Sequence, residues 1–395
     1  MKERNVSAVL FLCLFASQLG LIALAPVLVE VAADFDVSTA AAGQLRTIAG
    51  LAAGLTALAL PAATRRLSLR GLLLCGAVLL GIGSLASAAA PSFALLAAAQ
   101  LPVGAGVAAL AATATAAAAE WVSPGARTHV LSWALIGNPA AWIVGMPLIG
   151  LLGQATWRYG WLVLPLTAAL AAGVAVARRP GSTPTAADGD GLRATLADPR
   201  LRRWVLAELA AQSGWIGVLV YAGALFTESY GTSPALTGVF LSVSAAAFTV
   251  GNFVFRRVAD ADDTRRHLIR LALGMGVLVM LLGAVRPTAA VSMALFAATA
   301  FLGGGRTLLG SSYGFRTTPE RRVAAMAARA AANQFGYFVG AAVGGVALAA
   351  WGYAGLGVLL GLLFVVAAAT LTPPRRRRAT SPAGLRHATA PGRAR

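Results

Sequence analysis

Nine polar, charged or aromatic side chains lie inside long apolar stretches of this sequence, where each needs a hydrogen-bond partner or a ligand. A cavity for an amphipathic molecule combines aromatic faces with a few amide, hydroxyl or charged groups. At 1.5 Å per helical residue, most of the nine fall near the middle of their stretch. As a set they are predicted to line a cavity, although hydrogen bonds between helices, typically below about 1 kcal/mol each, explain any single one. The nine are Gln18, Arg46, Asn138, Trp142, Gln212, Trp215, Asn333, Gln334 and Tyr337.

Arg46 is the clearest charged group inside an apolar stretch. A charge at this depth costs at least about 2.5 kcal/mol unless it has a partner or a function. One interpretation pairs Arg46 with Glu30 as an outer gate or proton site. The other extends the arginine to the lipid headgroups, or to Asp34 and Asp36. Both interpretations stay open at this stage.

Two further charges lie near the inner ends of their stretches. Glu208 is one turn inside the seventh stretch and is a candidate proton site, with an interfacial position as the alternative. Arg306 follows three glycines late in the tenth stretch, and it is expected to extend to the headgroups. The predicted proton and gate residues are therefore Glu30, Asp34, Arg46 and Glu208.

Motifs for other kinds of chemistry are missing. The chain has no HExxH, no GxSxG and no GxxxxGK[ST] phosphate loop, so an enzyme or an ATP-driven pump is not expected. Cys13 and Cys75 have no metal-binding spacing. The histidines His129, His267 and His387 lie beside arginines at segment ends or in the tail. No metal or cofactor is predicted.

The elements that must position these side chains are membrane helices. The composition is 58% hydrophobic and only 12% charged, which excludes a water-soluble protein of this size. Apolar runs long enough to cross a core of roughly 30 Å number twelve. They begin near residues 6, 40, 71, 94, 130, 159, 204, 235, 267, 288, 323 and 353. The sequence therefore predicts an all-α integral membrane protein with twelve transmembrane helices.

The distribution of arginines predicts the orientation. With both termini in the cytoplasm, 28 of the 32 basic residues lie on the cytoplasmic side, including Arg329 in the tenth connection. Only Arg158 and Arg286 lie outside. This arrangement argues against nucleic acid as a partner, because the arginines ring one face of the plasma membrane. The run 375–378 is expected to bind anionic lipid or to serve as a topology anchor.

An internal repeat divides the chain into two halves. An offset of 199 residues maps the small-residue stripe of the fifth stretch onto that of the eleventh, and such stripes let helices approach closely. The two stripes contain Gly137 and Gly145, and Gly336, Gly340 and Gly344. The predicted units are a six-helix half at 1–177, a cytoplasmic linker at 178–203, a second six-helix half at 204–371 and a basic, disordered cytoplasmic tail at 372–395.

Two segments carry a resemblance to a known family. One runs from Ala25-Pro26-Val27-Leu28 to Gly43-Gln44-Leu45, and the other contains Gly137, Gly145, Met146, Pro147 and Gly150, followed by Trp157-Arg158. The chain thereby resembles the major facilitator superfamily, and within it the drug and metabolite exporters grouped with arabinose efflux permeases. The second segment is similar to the antiporter motif of those exporters. The resemblance implies the major facilitator fold, efflux and drug resistance.

The chain also departs from that family. The second loop of the family reads Gly-x-x-x-Asp-Arg-x-Gly-Arg-Arg, whereas residues 61–70 lack the acid and keep only a remnant in Arg66 and Arg70. Gln100 stands where many proton-coupled members have an arginine. We expect a monomeric secondary transporter that exports small amphipathic, cationic or drug-like molecules in exchange for protons. The alternative is a transporter of a sugar or another polar metabolite, working by uniport or exchange.

Overall fold

The computed structural model describes residues 3–178, 197–259, 263–317 and 322–372. In this part the chain is helical, and it contains 11 helices long and apolar enough to cross a membrane. The last of these bends at Gly352, where φ is 63°, and thus supplies two segments. The predicted all-α fold with twelve membrane segments is confirmed. Most of the predicted linker (178–203) and nearly all of the predicted tail (372–395) lie outside the described residues.

We number the membrane segments α1 to α12. In the first half, their bounds are Glu3–Ile22 continued by Leu28–Asp34 (α1), Thr39–Ala63 (α2), Leu69–Ala89 (α3), Phe93–Glu120 (α4), Arg127–Leu135 continued to Met146–Gly153 (α5), and Trp157–Trp161 continued by Thr167–Ala177 (α6). In the second half, they are Pro199–Tyr230 (α7), Pro234–Val254 (α8), Thr264–Ala284 (α9) and Ala289–Thr317 (α10). The last helix, Arg322–Leu371, divides at Gly352 into α11 and α12.

Hydroxyl side chains set the starts of several helices. Ser38 accepts a hydrogen bond from the amide of Ala41 at 3.1 Å, and Ser68 accepts one from Gly71 at 3.2 Å. Ser92 and Ser233 cap α4 and α8 in the same way. Such caps satisfy amides that have no partner within the helix. They therefore fix where each chain reversal ends and the next membrane segment begins.

Two membrane helices of the first half are interrupted where they approach the second half. α1 breaks before a single tight turn at Ala25–Val27, because Pro26 has no amide hydrogen to continue the α-helical pattern. α5 contains a π-helical turn at Ala141–Gly145 between Pro139 and Pro147. Local π-turns of this kind are frequent at functional sites. This irregular turn lies in the part of α5 that contains Gly145 and Pro147.

The predicted glycine stripes pack against equivalent helices in the two halves. In the first half, a Cβ atom on Gly137 would lie 2.6 Å from the carbonyl oxygen of Phe11 in α1. In the second half, a Cβ atom on Gly340 would lie 2.3 Å from the carbonyl oxygen of Ser213 in α7. Only glycine allows the backbones to approach this closely. The pairing of α5 with α1 thus recurs as the pairing of α11 with α7, as the 199-residue offset predicts.

The two halves meet closely at one end of the bundle, which we call the α1–α2 end because it contains the connection 35–38. There, a Cβ atom on Gly150 of α5 would lie 2.2 Å from the carbonyl oxygen of Pro234 in α8. A Cβ atom on Gly223 of α7 would lie 2.0 Å from the carbonyl oxygen of Ala25. Backbone contacts this tight leave no passage between these helices. The α1–α2 end is therefore closed in this conformation.

Candidate functional site

A cavity lies between the two halves, directly below the closed α1–α2 end. Its wall is mostly aliphatic, with side chains from α1 and α7. The polar and aromatic members of the wall are Arg46, Trp142 and Tyr337. Its volume of about 20 Å³ has room for about one water molecule. Any larger molecule requires the halves to move apart. The apolar members of the wall include Leu21, Ile22, Leu28, Ile216, Leu219 and Val220.

Arg46 reaches the cavity from α2 and is only 4% exposed. Its Nη1 donates a hydrogen bond to the carbonyl oxygen of Gly20 at 3.3 Å, next to the break in α1. Its Nη2 is buried and has no hydrogen-bond partner. No ion pair joins Arg46 to Glu30 among the described residues, so the pair considered from the sequence does not form in this conformation. Arg46 does not extend to the membrane surface either.

Trp142 reaches the cavity from the π-helical turn of α5. Its indole nitrogen donates to the side-chain oxygen of Gln18 in α1 at 2.7 Å. This bond holds the ring between α1 and the second half, and it uses the only polar atom of the indole. The ring therefore offers the cavity an aromatic face, and Gln18 keeps its amide hydrogens available for other partners.

Tyr337 completes the wall from α11, and two unpartnered amides lie one turn away from the aromatic residues. Asn138 is four residues before Trp142, and Asn333 is four residues before Tyr337, so each pair shares a helix face. The Oδ1 atoms of Asn138 and Asn333 are both buried without a hydrogen-bond partner in the described chain. Buried amide oxygens normally have a partner. These two groups are thus available to water or a ligand.

The other predicted cavity residues have different surroundings. Trp215 stacks on Phe248, with ring centroids 5.9 Å apart, and on Phe296 at 6.1 Å. Gln212 packs at Gly336, where a Cβ atom would lie 2.7 Å from its Cγ. Gln334 is half-buried on α11. In this conformation none of these three belongs to the cavity wall.

A buried ion-pair cluster joins three helices of the second half. Glu208 accepts hydrogen bonds through Oε1 from Nη1 and Nη2 of Arg306, at 2.9 and 3.2 Å. Its Oε2 accepts one from Nε of Arg329 at 2.7 Å. All three side chains are at most 10% exposed. We call these residues the Glu208 cluster, and it carries one uncompensated positive charge.

The cluster corrects two expectations. Arg306 was expected to extend to the headgroups, but α10 continues for eleven residues beyond it, about 16 Å, and places it in the interior. Arg329 was assigned to a cytoplasmic connection, but it lies within α11. Glu208, for which an interfacial position was the alternative, is buried between these two arginines. Residue spacing along the sequence does not indicate this cluster, because its members lie about 100 and 20 residues apart. They come together only when α7, α10 and α11 pack.

Asp34 takes part in another cluster at the α1–α2 end. Its Oδ2 accepts hydrogen bonds from Nη2 of Arg158 and from the indole nitrogen of Trp157, both at 3.0 Å. Nη1 of the same arginine donates to the carbonyl oxygens of Ala88 and Ala90, at 2.8 and 2.7 Å. These contacts tie α1, α3 and α6 together. Asp34 is therefore engaged within the first half.

Glu30 has no such partner. Its Oε2 is buried without a hydrogen bond, although the residue as a whole is half-buried. A carboxylate in this setting lacks the compensation that arginines give to Asp34 and Glu208. Among the predicted proton and gate residues, all of which lie in the described chain, only Glu30 has a buried carboxyl oxygen without a hydrogen-bond partner.

A hydrogen-bond chain that the sequence did not indicate crosses between the halves at the α1–α2 end. The hydroxyl of Thr39 in α2 donates to Oε1 of Glu228 in α7. The hydroxyl of Tyr353 in α12 donates to Oε2 of the same carboxylate at 2.8 Å. The guanidinium of Arg286 lies 5.3 Å from the centre of the Tyr353 ring. We call Thr39, Glu228 and Tyr353 the inter-half latch.

The motif remnant of the second loop lies at the opposite end. Arg66 is exposed. Nη2 of Arg70 donates to the carbonyl oxygen of Ala177 at 2.7 Å, which caps the end of α6. Arg70 thus binds its own half, and the described residues provide no acid as its partner.

Comparison with known families agrees with this geometry. The sequence pattern of the Major Facilitator Superfamily matches residues 10–260 and, a second time, residues 204–394. The chain belongs to the major facilitator superfamily. Members of this superfamily are membrane transporters. No curated protein sequence matches the chain.

Solved structures share the fold at low sequence identity. A D-xylose-proton symporter has a TM-score of 0.76 and 16% identity, over 93% of this chain and 96% of its own. The nucleoside transporter NupG has a TM-score of 0.75 and 13% identity, over 93% and 98%. The human organic anion transporter MFSD10 has a TM-score of 0.68 and 16% identity, over 94% and 100%. Because these proteins carry different substrates, the shared fold leaves the substrate of this transporter open.

Proposed function

We propose that this transporter exports small amphipathic molecules across the plasma membrane by alternating access, in exchange for protons. The observation that carries the proposal is the cavity between the halves. Its wall combines aliphatic side chains with two aromatic rings and one guanidinium. Such a surface suits a molecule with an apolar body and a polar group. The halves would open alternately to the two sides of the membrane around this point.

The direction of transport rests on α5 and on the charges. The resemblance of α5 to the antiporter motif of exporters supports efflux, and its glycines pack against both α1 and α8. The excess of arginines in the connections at the end opposite the α1–α2 end supports cytoplasmic termini. In this arrangement the α1–α2 end faces the outside, and it is closed in this conformation.

Glu30 is our candidate for the proton site. Asp34 and Glu208 already accept hydrogen bonds from arginines, whereas Oε2 of Glu30 is buried without a partner. Protonation would remove the charge of Glu30 and supply a hydrogen-bond donor. With protons as the coupling ion, Glu30→Gln abolishes the dependence of export on a pH gradient. Export of the same size with and without the gradient in the wild type would contradict proton coupling.

The second candidate function is transport of a sugar or another polar metabolite by uniport or exchange. It is favoured by the unpartnered side-chain oxygens of Asn138 and Asn333, because polar substrates need hydrogen-bonding groups. The aliphatic wall of the cavity favours an amphipathic substrate instead. Transport of a polar metabolite would depend more on Asn138 and Asn333, whereas export of an amphipathic molecule would depend more on the aliphatic wall.

The test is an accumulation assay with a broad panel of labelled amphipathic drugs and polar metabolites, in cells with and without the gene. Export predicts lower accumulation of at least one amphipathic compound, and Trp142→Ala restores that accumulation. Gly173→Ala is a matched control, since a Cβ atom there meets only an ordinary contact at 3.5 Å. Unchanged accumulation of every compound overturns the export proposal. Loss of polar-metabolite transport in Asn333→Ala alone supports the second candidate.

The remaining expectations about partners belong to the same proposal. We propose that the transporter works as a monomer in the plasma membrane. The arginines at 375–378 would bind anionic headgroups at the cytoplasmic face, at about 1 kcal/mol for each arginine. That run lies outside the described residues. Its removal should weaken binding to vesicles that contain anionic lipid and leave the substrate preference unchanged.

A further inference from the structure

The cavity contains a buried positive charge with an unused hydrogen-bond donor. Arg46 is 4% exposed, lines the cavity, and has no partner for Nη2. A guanidinium has five N–H donors and is not deprotonated in proteins. Burying such a charge without a partner is strongly unfavourable. The position therefore calls for an anion or for ordered water.

No acidic side chain in the described part of the chain lines this cavity. The four ion pairs among the described residues involve Asp34, Asp263 and Glu208 as acids, and none includes Arg46. The Glu208 cluster itself carries an excess positive charge. The protein thus provides no counter-charge for Arg46 at this point.

A purely structural role explains only part of this arrangement. Nη1 of Arg46 donates to the carbonyl oxygen of Gly20, which lies at the end of the first segment of α1. Carbonyl groups at a helix end lack partners, and a cation there is favourable. This cap accounts for Nη1 but not for Nη2, which remains buried and free. It also does not explain why the guanidinium borders the cavity.

The groups around Arg46 restrict the type of anion. Trp142 presents an aromatic face, Tyr337 presents a phenol, and the remaining wall is aliphatic. A small inorganic anion would leave these apolar surfaces unused. An organic acid with an aromatic or aliphatic body would cover them and place its carboxylate at the guanidinium, which matches carboxylate geometry.

We infer that Arg46 binds the carboxylate or equivalent anionic group of the transported molecule, so that the substrates are amphipathic organic anions. This inference rests on the transport function proposed above and narrows its substrate class. It differs from the expectation of amphipathic or cationic compounds drawn from the sequence. Trp142 and Tyr337 then bind the apolar body of the substrate.

The test uses matched aromatic compounds that differ only in charge. The probes are benzoate and 1-naphthylacetate, each with its carboxamide and with an ammonium compound of the same ring. Binding to the purified full-length transporter is measured by calorimetry. Since hydrogen bonds to charged groups are the strong ones, the wild type should bind an acid about tenfold or more tightly than its carboxamide. The ammonium compounds should bind most weakly.

Variants separate an anion site from a structural arginine. Arg46→Gln should reduce the preference for the acid over its carboxamide to about one, whereas Arg46→Lys retains part of it. Arg70→Gln is the matched control. Arg70 also donates to one backbone carbonyl and has a buried, unpartnered nitrogen, but it is no part of the cavity wall. Arg70→Gln should leave the preference unchanged.

The outcomes distinguish this inference from the proposed function. Equal binding of acids and carboxamides by the wild type in every pair overturns the inference, including the result that none binds. If binding of both compounds is nevertheless lost in Trp142→Ala, the cavity proposal stands and only the anion specificity fails. A preference that persists in a folded Arg46→Gln variant also overturns the inference. If that variant does not fold, the wild-type preference and Arg46→Lys still decide the matter.

Discussion

Replacing Glu208 by glutamine would leave two buried arginines without a counter-charge. The glutamine oxygen could still accept from Arg306, but its amide group would then face Nε of Arg329, so that two donors oppose each other. Breaking a buried ion pair by removing one partner costs about 3–5 kcal/mol. Because Glu208 serves both arginines and is only 3% exposed, we expect a loss of unfolding free energy in that range.

The charge balance of the cluster gives a sharper expectation. Removing Arg329 leaves a neutral pair of Glu208 with Arg306, whereas removing Glu208 leaves two like charges. Arg329→Met should therefore destabilise the transporter less than Glu208→Gln. The assay is unfolding of the detergent-solubilised protein in increasing dodecyl sulfate, followed by far-ultraviolet circular dichroism.

One control variant and two possible results test these expectations about the Glu208 cluster. Asp36→Asn alters an exposed acid with φ of 51°, a backbone conformation that asparagine tolerates, so a change within about 0.5 kcal/mol is expected. A loss below about 1 kcal/mol for Glu208→Gln would show that the cluster is not a buried charge network. A larger loss for Arg329→Met than for Glu208→Gln would refute the charge-balance reasoning.

Two other substitutions test the contacts between helices. Gly340→Ala should destabilise the fold by about 1–3 kcal/mol in the same unfolding assay, because the new Cβ atom would overlap the carbonyl oxygen of Ser213, whereas Gly173→Ala should have little effect. Thr39→Val removes the inter-half latch hydrogen bond to Glu228, worth about 1 kcal/mol, and should shift the population toward opening at the α1–α2 end about fivefold. Spin-label distances across that end measure the shift, and an unchanged distance distribution would contradict the role of the latch.

The number of membrane segments and the pairing of α5 and α11 with equivalent helices could be predicted from the sequence, because both depend on local patterns. Apolar run length sets the segments. The stripe that begins at Gly137 recurs at Gly336, 199 residues later. A periodic feature of this kind can be recognised without knowledge of the rest of the fold. Both expectations concern which residues pack, rather than how individual side chains pair.

The partners of the charged residues could not be predicted from the sequence. The apolar run of α10 is shorter than the helix, which continues through Ser311 and Ser312 to Thr317, so the depth of Arg306 was underestimated. Arg46 was assigned to acids near in sequence, but the break in α1 frees the carbonyl of Gly20 as an acceptor. Side-chain pairing depends on helix rotation and on breaks, which hydropathy does not report.

The predicted cavity residues divide into those that line the cavity and those that pack elsewhere. Depth counting selected Trp142 and Tyr337 near mid-depth and placed Arg46 nearer the end of its apolar stretch, yet all three line one cavity. It also selected Trp215, which faces Phe248 and Phe296 instead. Depth along a helix is additive over residues, whereas the direction of a side chain changes by about 100° with each one. A depth estimate alone therefore selects lining and packing residues together.

Alternating opening of the two halves around the cavity is tested most directly by tying the α1–α2 end shut. Thr39 and Glu228 of the inter-half latch are replaced by cysteines in a background with Cys13→Ala and Cys75→Ser. The two thiols can then be joined by a short bifunctional thiol reagent with a disulfide in its spacer. Transport by the joined protein in proteoliposomes should stop and should return after reduction of the spacer. Transport that continues at the same rate with the halves tied together would contradict alternating access through this cavity.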